Sequence, residues 1–362
     1  MSAPVDVSVV TSGHDVADAR LHRLVGAFAR RGLSVEVLGL GDPAGAPPAA
    51  QVRTVPRPGM VGRALLAPRY AAAARGRVLV TLDPDSLVAA RAVGALRRRP
   101  VVADVHEDYA RLVEDREWSV GLLGAGARVV VRLAEHAART SAATLVADDH
   151  VPPGRARRRL VVRNEADLGL VGTPREPAAT PLACYVGDVR PSRGLPAMLE
   201  AVAGAPGWRF EVVGPLRDAD RATALERCAR PDLEGRVVWH GRRPPREAWE
   251  AVGHAWVGFA LLEDTPAFRD TLPSKVYEYL ATGIVPVVSD LPRQRRLLEE
   301  VGAGSVVADP QEAAAALRRY AEEPERLAAE RERALAWSAA RGDGGSTYDR
   351  AAALVEEVLG RG

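Results

Sequence analysis

The chain spells out one local pattern twice, and that repetition limits its fold more than any other feature. Val7 to Val10 is a short apolar run suited to a buried strand, and Thr11 to Asp15 is a loop containing Gly13. Leu21, Leu24, Val25 and Phe28 then recur at helical spacing, Gly32 stops the helix, and Val35 to Leu38 is apolar again. Near residue 180 the order returns. Leu182 to Val186 reads as a strand, Gly187 to Gly194 as a polar loop, Met198, Leu199, Ala201 and Val202 as a helix face, and Phe210 to Val213 as a strand. Strands alternating with helices build a parallel sheet covered on both faces.

A single core rarely grows past ~250–300 residues, so two such openings in 362 residues predict two doubly wound α/β domains. The expected bounds are 1–171 and 180–345, with Pro174 and Pro177 in the linker between them. A terminal helix over 346–362 follows from Ala352, Leu354, Val355 and Val358. Gly41 to Gly62, rich in Pro, Gly and Ala, shows no periodicity and reads as a long loop.

Composition narrows the function classes. With 47% hydrophobic and 27% charged residues the chain is not mainly disordered, and a net charge of +2 carries no strong nucleic-acid signature. Two cysteines are too few for a disulfide framework and fit a reducing cytoplasm. The first ten residues lack the basic-then-apolar order of a signal peptide. Arg128 and Arg132 break the longest apolar stretches well short of the ~18–20 residues of a membrane span. Charge is nevertheless uneven: residues 1–175 carry a net +7 and the remainder −5. A basic half can face an anionic ligand, or touch the inner face of an anionic membrane. A merely solvated surface explains the difference equally well. The run Arg155, Arg157, Arg158 and Arg159 is read as a solvated edge ahead of a lipid contact.

One residue stands out. Lys275 is the only lysine among 49 basic residues, kept where a compact ammonium suits better than a planar guanidinium. It lies in Leu272-Pro-Ser-Lys-Val-Tyr-Glu-Tyr-Leu-Ala-Thr-Gly-Ile-Val-Pro-Val-Val-Ser289, where Ser274 caps a helix, Gly283 ends it and Val285 to Val288 form a strand. A helix start offers free N–H groups and a positive dipole end to an anion. A cation in that turn suits a diphosphate, and Glu278, one turn on, suits the hydroxyls of a ribose. The plainer reading is a surface i, i+3 pair worth ~0.2–0.5 kcal/mol.

This segment resembles the C-terminal signature of family 4 (group 1) retaining glycosyltransferases, in the branch reading Pro-x-Lys-Leu-Phe-Glu-Tyr. The family's Glu-x7-Glu pair corresponds here to Asp270-x7-Glu278, with the first acid one carbon shorter. The resemblance implies that Glu278 holds the ribose and Asp270 faces the donor sugar. Tyr185-Val-Gly-Asp-Val-Arg-Pro-Ser-Arg-Gly194 resembles the family's donor loop, placing Gly187 against the donor and Arg193 on its diphosphate. Asp188 stands where many members carry arginine, and Arg190 is a candidate to supply that charge. Val101-Val-Ala-Asp-Val-His-Glu-Asp-Tyr109 resembles the segment whose histidine, here His106, faces the donor sugar. Asp18-Ala-Arg20 and Leu82-Asp-Pro-Asp-Ser-Leu87 also match the branch, and Gly13 joins the donor-binding set. Val237 to Gly241 and Ala255 to Gly258 resemble segments flanking the nucleotide base, with no side-chain contact assigned.

The resemblance implies the GT-B architecture, two Rossmann-like domains facing a central cleft. It also implies a retaining, metal-independent, cofactor-free transferase in which a nucleotide-diphosphate sugar is held mainly by the C-terminal domain. Arg193, Lys275 and the helix start would stabilise the departing diphosphate. A glycan, a lipid-linked molecule or a small metabolite would be the acceptor, entering from the N-terminal domain, and the terminal helix would cross back to that domain. The arginine- and alanine-rich composition hints at a high-GC bacterial source. The competing readings are a sugar-nucleotide epimerase on the same scaffold and a non-catalytic partner protein. Asp83-Pro-Asp85 is set aside as a metal site, Gly124-Ala-Gly126 as a dinucleotide fingerprint, and His14, His240 and His254 as metal ligands.

Overall fold

The computed structural model describes residues 4–110, 121–163, 166, 168–266, 268–342 and 346–360. The chain forms two compact units, Met1–Asn164 with Gly345–Gly362 and Glu165–Gly344.

The first unit holds β1 (Val7–Asp15), β2 (Val35–Leu40), β3 (Ala50–Val55), β4 (Val78–Thr81), β5 (Val101–Val105), β6 (Ala143–Val146) and β7 (Arg159–Val161). These make one parallel sheet in the order β3-β2-β1-β4-β5-β6-β7. Its central strands are mainly apolar on both faces because helices cover both. On one face Val7 and Val9 pack with Leu21, Leu24 and Phe28 of the helix Ala19–Arg30, and the helix Thr347–Gly360 adds Tyr348, Ala351, Val355 and Val358. On the other, Val10, Leu79 and Val101 pack with Leu66, Leu87, Ala134 and Ala138. The strand order reverses between β1 and β4, which opens a crevice at the carboxyl ends of those strands.

Two local expectations change. Thr11 to Asp15 continues β1 past a register shift between Val10 and Asp15. Gly41 to Gly62 is not one loop. It contains a 3-10 turn, Pro43–Gly45, and the strand β3, paired with β2 from Val35 and Ala50 to Leu40 and Val55. An edge strand buried only in part needs little hydrophobic periodicity, which hid it.

Arg20 locks this unit. Its guanidinium donates to both Asp104 oxygens at 2.7 and 2.5 Å and to the Val162 carbonyl at 3.1 Å, with both side chains buried. Its Nη1 also reaches the Tyr348 hydroxyl at 3.4 Å, joining the terminal helix to the sheet. Arg20→Met leaves the Asp104 carboxylate buried without its cation, so urea unfolding should show a loss of ~3–5 kcal/mol. A loss under 1 kcal/mol would mean the pair contributes little.

The second unit holds β8 (Leu182–Val186), β9 (Arg209–Val213), β10 (Val237–Gly241), β11 (Val257–Ala260), β12 (Val285–Ser289) and β13 (Ser305–Val307), parallel in the order β10-β9-β8-β11-β12-β13. Trp208, Phe210 and Phe259 centre one face, against Met198 and Val202 of the helix Leu195–Ala203. The short helix Leu168–Val171, expected in the first domain, belongs here, because Val171 packs with Leu182, Trp249 and Val252. The unit's boundary therefore precedes the proline-containing linker. Among the described residues no helix is long and apolar enough to cross a membrane.

Candidate functional site

Two polar clusters form at the carboxyl ends of the two sheets. In the second unit, the helix Ser274–Thr282 rises beside β11 and buries nearly its whole surface. Gly258 permits this approach, since a Cβ there would lie 2.6 Å from the Tyr279 ring. Pro273, not Ser274, occupies the cap position, and no side chain caps the helix. Proline at that place has no N–H to satisfy, and Ser274 becomes the first helical residue. The first-turn N–H groups are thus left without a side-chain acceptor of the usual kind.

Lys275 sits in that turn, 7% exposed, with Nζ 3.4 Å from the centre of the Tyr185 ring. No carboxylate stands within ion-pair distance of it among the described residues. Burial, then the Arg193 charge, depress its pKa well below the ordinary lysine value, with Glu278 opposing. Gly187, at φ +135°, curves the loop around the ammonium, and a Cβ there would lie 3.1 Å from Nζ. Arg193 ends a 3-10 turn, Pro191–Arg193, with its guanidinium 5.6 Å from the Phe268 ring centre. Its buried Nε has no hydrogen-bond partner among the described residues.

Gly194 follows at φ +88°, where a Cβ would meet the Leu261 carbonyl oxygen at 1.8 Å. Glu278 is buried one turn beyond Lys275. Asp270 is exposed, its carbonyl accepting from Arg293 at 3.2 Å. Arg190 forms an ion pair with Asp188, so its charge is met within the loop. Lys275, Gly187 and Arg193 therefore converge, whereas Asp270 lies on the surface.

In the first unit, Asp83 is the hub. Its buried carboxylate accepts from the Thr11 hydroxyl at 2.6 Å, the Ser12 amide and hydroxyl at 3.0 and 3.1 Å, and the Ser86 amide at 3.0 Å. Burial opposes its ionisation, but His14 and these donors hold it far below the usual carboxylate range. Asp85 accepts from Ser12 at 3.0 Å and pairs with Arg63 at 3.1 Å; burial and the Asp83 charge raise its pKa. Gly13 leaves room for Arg63, whose Nη2 would lie 2.6 Å from a Cβ there. His106, after β5, contacts His14 with their Nε2 atoms 3.0 Å apart. Asp18 caps the helix Ala19–Arg30 through the Arg20 and Leu21 amides.

Sequence reasoning placed His106 here but missed Thr11, His14, Arg63 and Asp85. The usable signal was Asp83-Pro-Asp85 next to a strand end, and its connection to β1 depends on β1 and β4 being neighbours. The arginine run is not a free edge: Arg158 pairs with Glu357, and Arg159 donates to the Pro153 and Asp149 carbonyls at 3.0 and 2.8 Å.

Residues 190–355 match the family model described as "Glycosyl transferase-like". A curated relative, "Putative teichuronic acid biosynthesis glycosyltransferase TuaH" of Bacillus subtilis (strain 168), is 25% identical over 113 residues. That match covers 31% of this chain and 28% of the relative, little more than a quarter of the relative's length. Among solved structures, Anabaena HepE in complex with UDP-glucose superposes with a TM-score of 0.71 at 17% identity, covering 96% of this chain and 98% of HepE. Sucrose-phosphate synthase of Thermosynechococcus elongatus gives 0.66 at 15% identity, covering 98% and 97% of the two chains. WaaG, a glycosyltransferase involved in lipopolysaccharide biosynthesis, gives 0.64 at 14%, covering 98% of each. The fold is GT-B, two Rossmann-like parallel sheets with helices. The family match spans a little under half of the chain, and the solved neighbours share its fold at low identity.

Proposed function

We propose that this chain is a retaining, metal-independent glycosyltransferase, moving a sugar from a nucleotide diphosphate to an acceptor hydroxyl. One observation carries the reading: Lys275 is buried where it feels the Arg193 charge, and among the described residues no carboxylate lies within ion-pair distance of it. A buried ammonium that feels a second, half-buried cation is costly alone and fits a polyanion. A diphosphate supplies the missing charge, and its negative charge grows as the glycosidic bond breaks. Lys275, Arg193 and the uncapped helix start then stabilise the leaving group, often the largest catalytic contribution. Glu278, buried one turn deeper, accepts from the ribose hydroxyls. His106 and Asp270 are assigned to the donor sugar, and Gly13 and Gly187 to close approach of the donor.

The leaving phosphate takes the acceptor proton, so no side chain is needed as nucleophile. The HepE structures contain UDP or UDP-glucose, which makes uridine donors the first class to try here. The first unit takes the acceptor in this scheme, be it a glycan, a lipid-linked molecule or a small metabolite, and the site is cytoplasmic, with the basic unit able to touch anionic membrane.

Thermal-shift measurements across UDP-, GDP-, dTDP- and ADP-sugars should single out one nucleotide class, with stabilisation growing as RT ln(1 + [L]/Kd) and lost in Glu278→Ala. EDTA should leave both binding and transfer unchanged. If no nucleotide binds, a non-catalytic GT-B protein replaces this reading, and the Asp188–Arg190 pair, which neutralises a loop arginine, favours that alternative.

A further inference from the structure

His14 belongs to none of the roles above, yet its Nε2 lies 3.0 Å from that of His106. Two Nε2 atoms at 3.0 Å can share only one proton: one ring donates and the other accepts. Which ring donates follows from Thr11. Its hydroxyl proton is committed to the ionised Asp83 at 2.6 Å, so towards His14 Nδ1, 3.2 Å away, the Thr11 oxygen can only accept. His14 therefore carries its proton on Nδ1. When His14 is neutral its Nε2 is bare, His106 must donate from Nε2, and His106 Nδ1 is a bare acceptor. When the pair gains one proton, His14 becomes the imidazolium and donates from Nε2. His106 then stays neutral with its proton on Nδ1, which is now a donor. That Nδ1 is buried and has no protein partner among the described residues, so no other described side chain fixes its state.

We propose that His14 is a positioning residue that sets the tautomer of His106, switching His106 Nδ1 between hydrogen-bond acceptor and donor as His14 gains a proton. The inference rests on the transferase reading only in what His106 would meet, a sugar hydroxyl.

The surrounding charges agree. Around the pair stand Asp83 and Asp85 after β4, Asp18 and Arg20 at the helix Ala19–Arg30, Asp104, Glu107 and Tyr109 around the end of β5, and Arg63 paired to Asp85. Burial lowers both rings. For His14, the Asp83 carboxylate at 3.9 Å, with Asp18 and Glu107, more than offsets burial and raises its pKa above the usual histidine value. For His106, burial and the charges of His14 and Arg20 win and depress it strongly. The first proton goes to His14, and acceptor becomes donor as pH falls through a midpoint above the ordinary 6.5.

The seven histidines make the full-length chain suitable for nitrogen-15 histidine labelling and two-bond proton–nitrogen spectra across pH, with no donor present. His14 Nδ1 should be protonated throughout. His106 Nδ1 should move by the full difference between bare and protonated nitrogen, at the midpoint of His14. In His14→Phe that inflection should vanish from His106 while the melting transition persists. In Thr11→Val, His14 should lose its single tautomer, which covers the case of a misfolded His14→Phe. An unchanged His106 titration in His14→Phe, a bare His14 Nδ1 at alkaline pH, or a single retained tautomer in Thr11→Val would each overturn the inference. Because the spectra need no turnover, they fail or succeed independently of the transferase reading.

Discussion

Lys275→Met should lower turnover by ~10²-fold or more while making the ligand-free protein more stable. The two effects come from one source. The ammonium is 7% exposed, lies on the Tyr185 ring and feels Arg193, so without an anion it raises the energy of the folded state. Methionine has similar length and no charge, and replacing an uncompensated buried ion by an apolar side chain should stabilise by about 1 kcal/mol or more. The pH dependence follows from the depressed pKa. Between that folded value and the unfolded value of ~10.4 the unfolded chain binds the extra proton, so wild-type stability should rise with pH through that window. The variant should lack that slope. Saturating donor should reverse the ranking, because wild type then gains more from the diphosphate than the variant does. Urea titrations at several pH values, with and without nucleotide, read all of this. A variant that is less stable at every pH without ligand would show that Lys275 is a structural residue, and full activity would remove it from the site.

Gly194→Ala should be among the most damaging single-methyl changes in the chain, costing at least ~3 kcal/mol and abolishing donor binding in whatever folds. Two penalties add. The backbone is left-handed at φ +88°, which costs an alanine roughly 1–2 kcal/mol. The new Cβ would also sit 1.8 Å from the Leu261 carbonyl oxygen, a backbone atom at the end of β11 that cannot swing away. The loop must lift, carrying Arg193 with it. Gly207→Ala is the matched control, since φ is +86° there and nothing lies within 4 Å of its Cβ position. It should show the dihedral cost alone. If the two variants unfold at the same denaturant concentration, the loop yields to the methyl and does not hold Arg193 in place.

These residues differ in how openly the sequence shows them. Lys275, Glu278 and Gly283 lie on one continuous segment, so local periodicity and a terminating glycine suffice to place a cation at a helix start. The repeated strand–helix pattern likewise announces two parallel sheets, because strands buried on both faces are mainly apolar. Other features depend on contacts distant in sequence. Thr11 meets Asp83 only because β4 lies beside β1, and strand order is not written in local spacing. The strand β3 escaped notice because none of its residues is fully buried, and Gln51 and Arg53 are exposed, in a Pro- and Gly-rich stretch. The cap on the 274–282 helix was misassigned by one residue because Pro273 and Ser274 are both acceptable at a helix entrance, and only backbone angles separate them. Arg190 looked available by spacing, whereas Asp188, two residues away, engages it.

The helix Thr347–Gly360 has a consequence for how the chain is made. Its Tyr348, Ala351 and Val355 cover Leu21, Leu24 and Phe28, yet it leaves the ribosome only after the whole second unit has emerged. During synthesis the first sheet must wait with one apolar face only partly covered, by the helix Ala19–Arg30, while the second unit, continuous in sequence, can close on its own. The amino-terminal sheet is therefore the natural client of a holding chaperone. Premature termination ahead of Thr347 would yield an aggregation-prone fragment even though every strand of both sheets had already been translated.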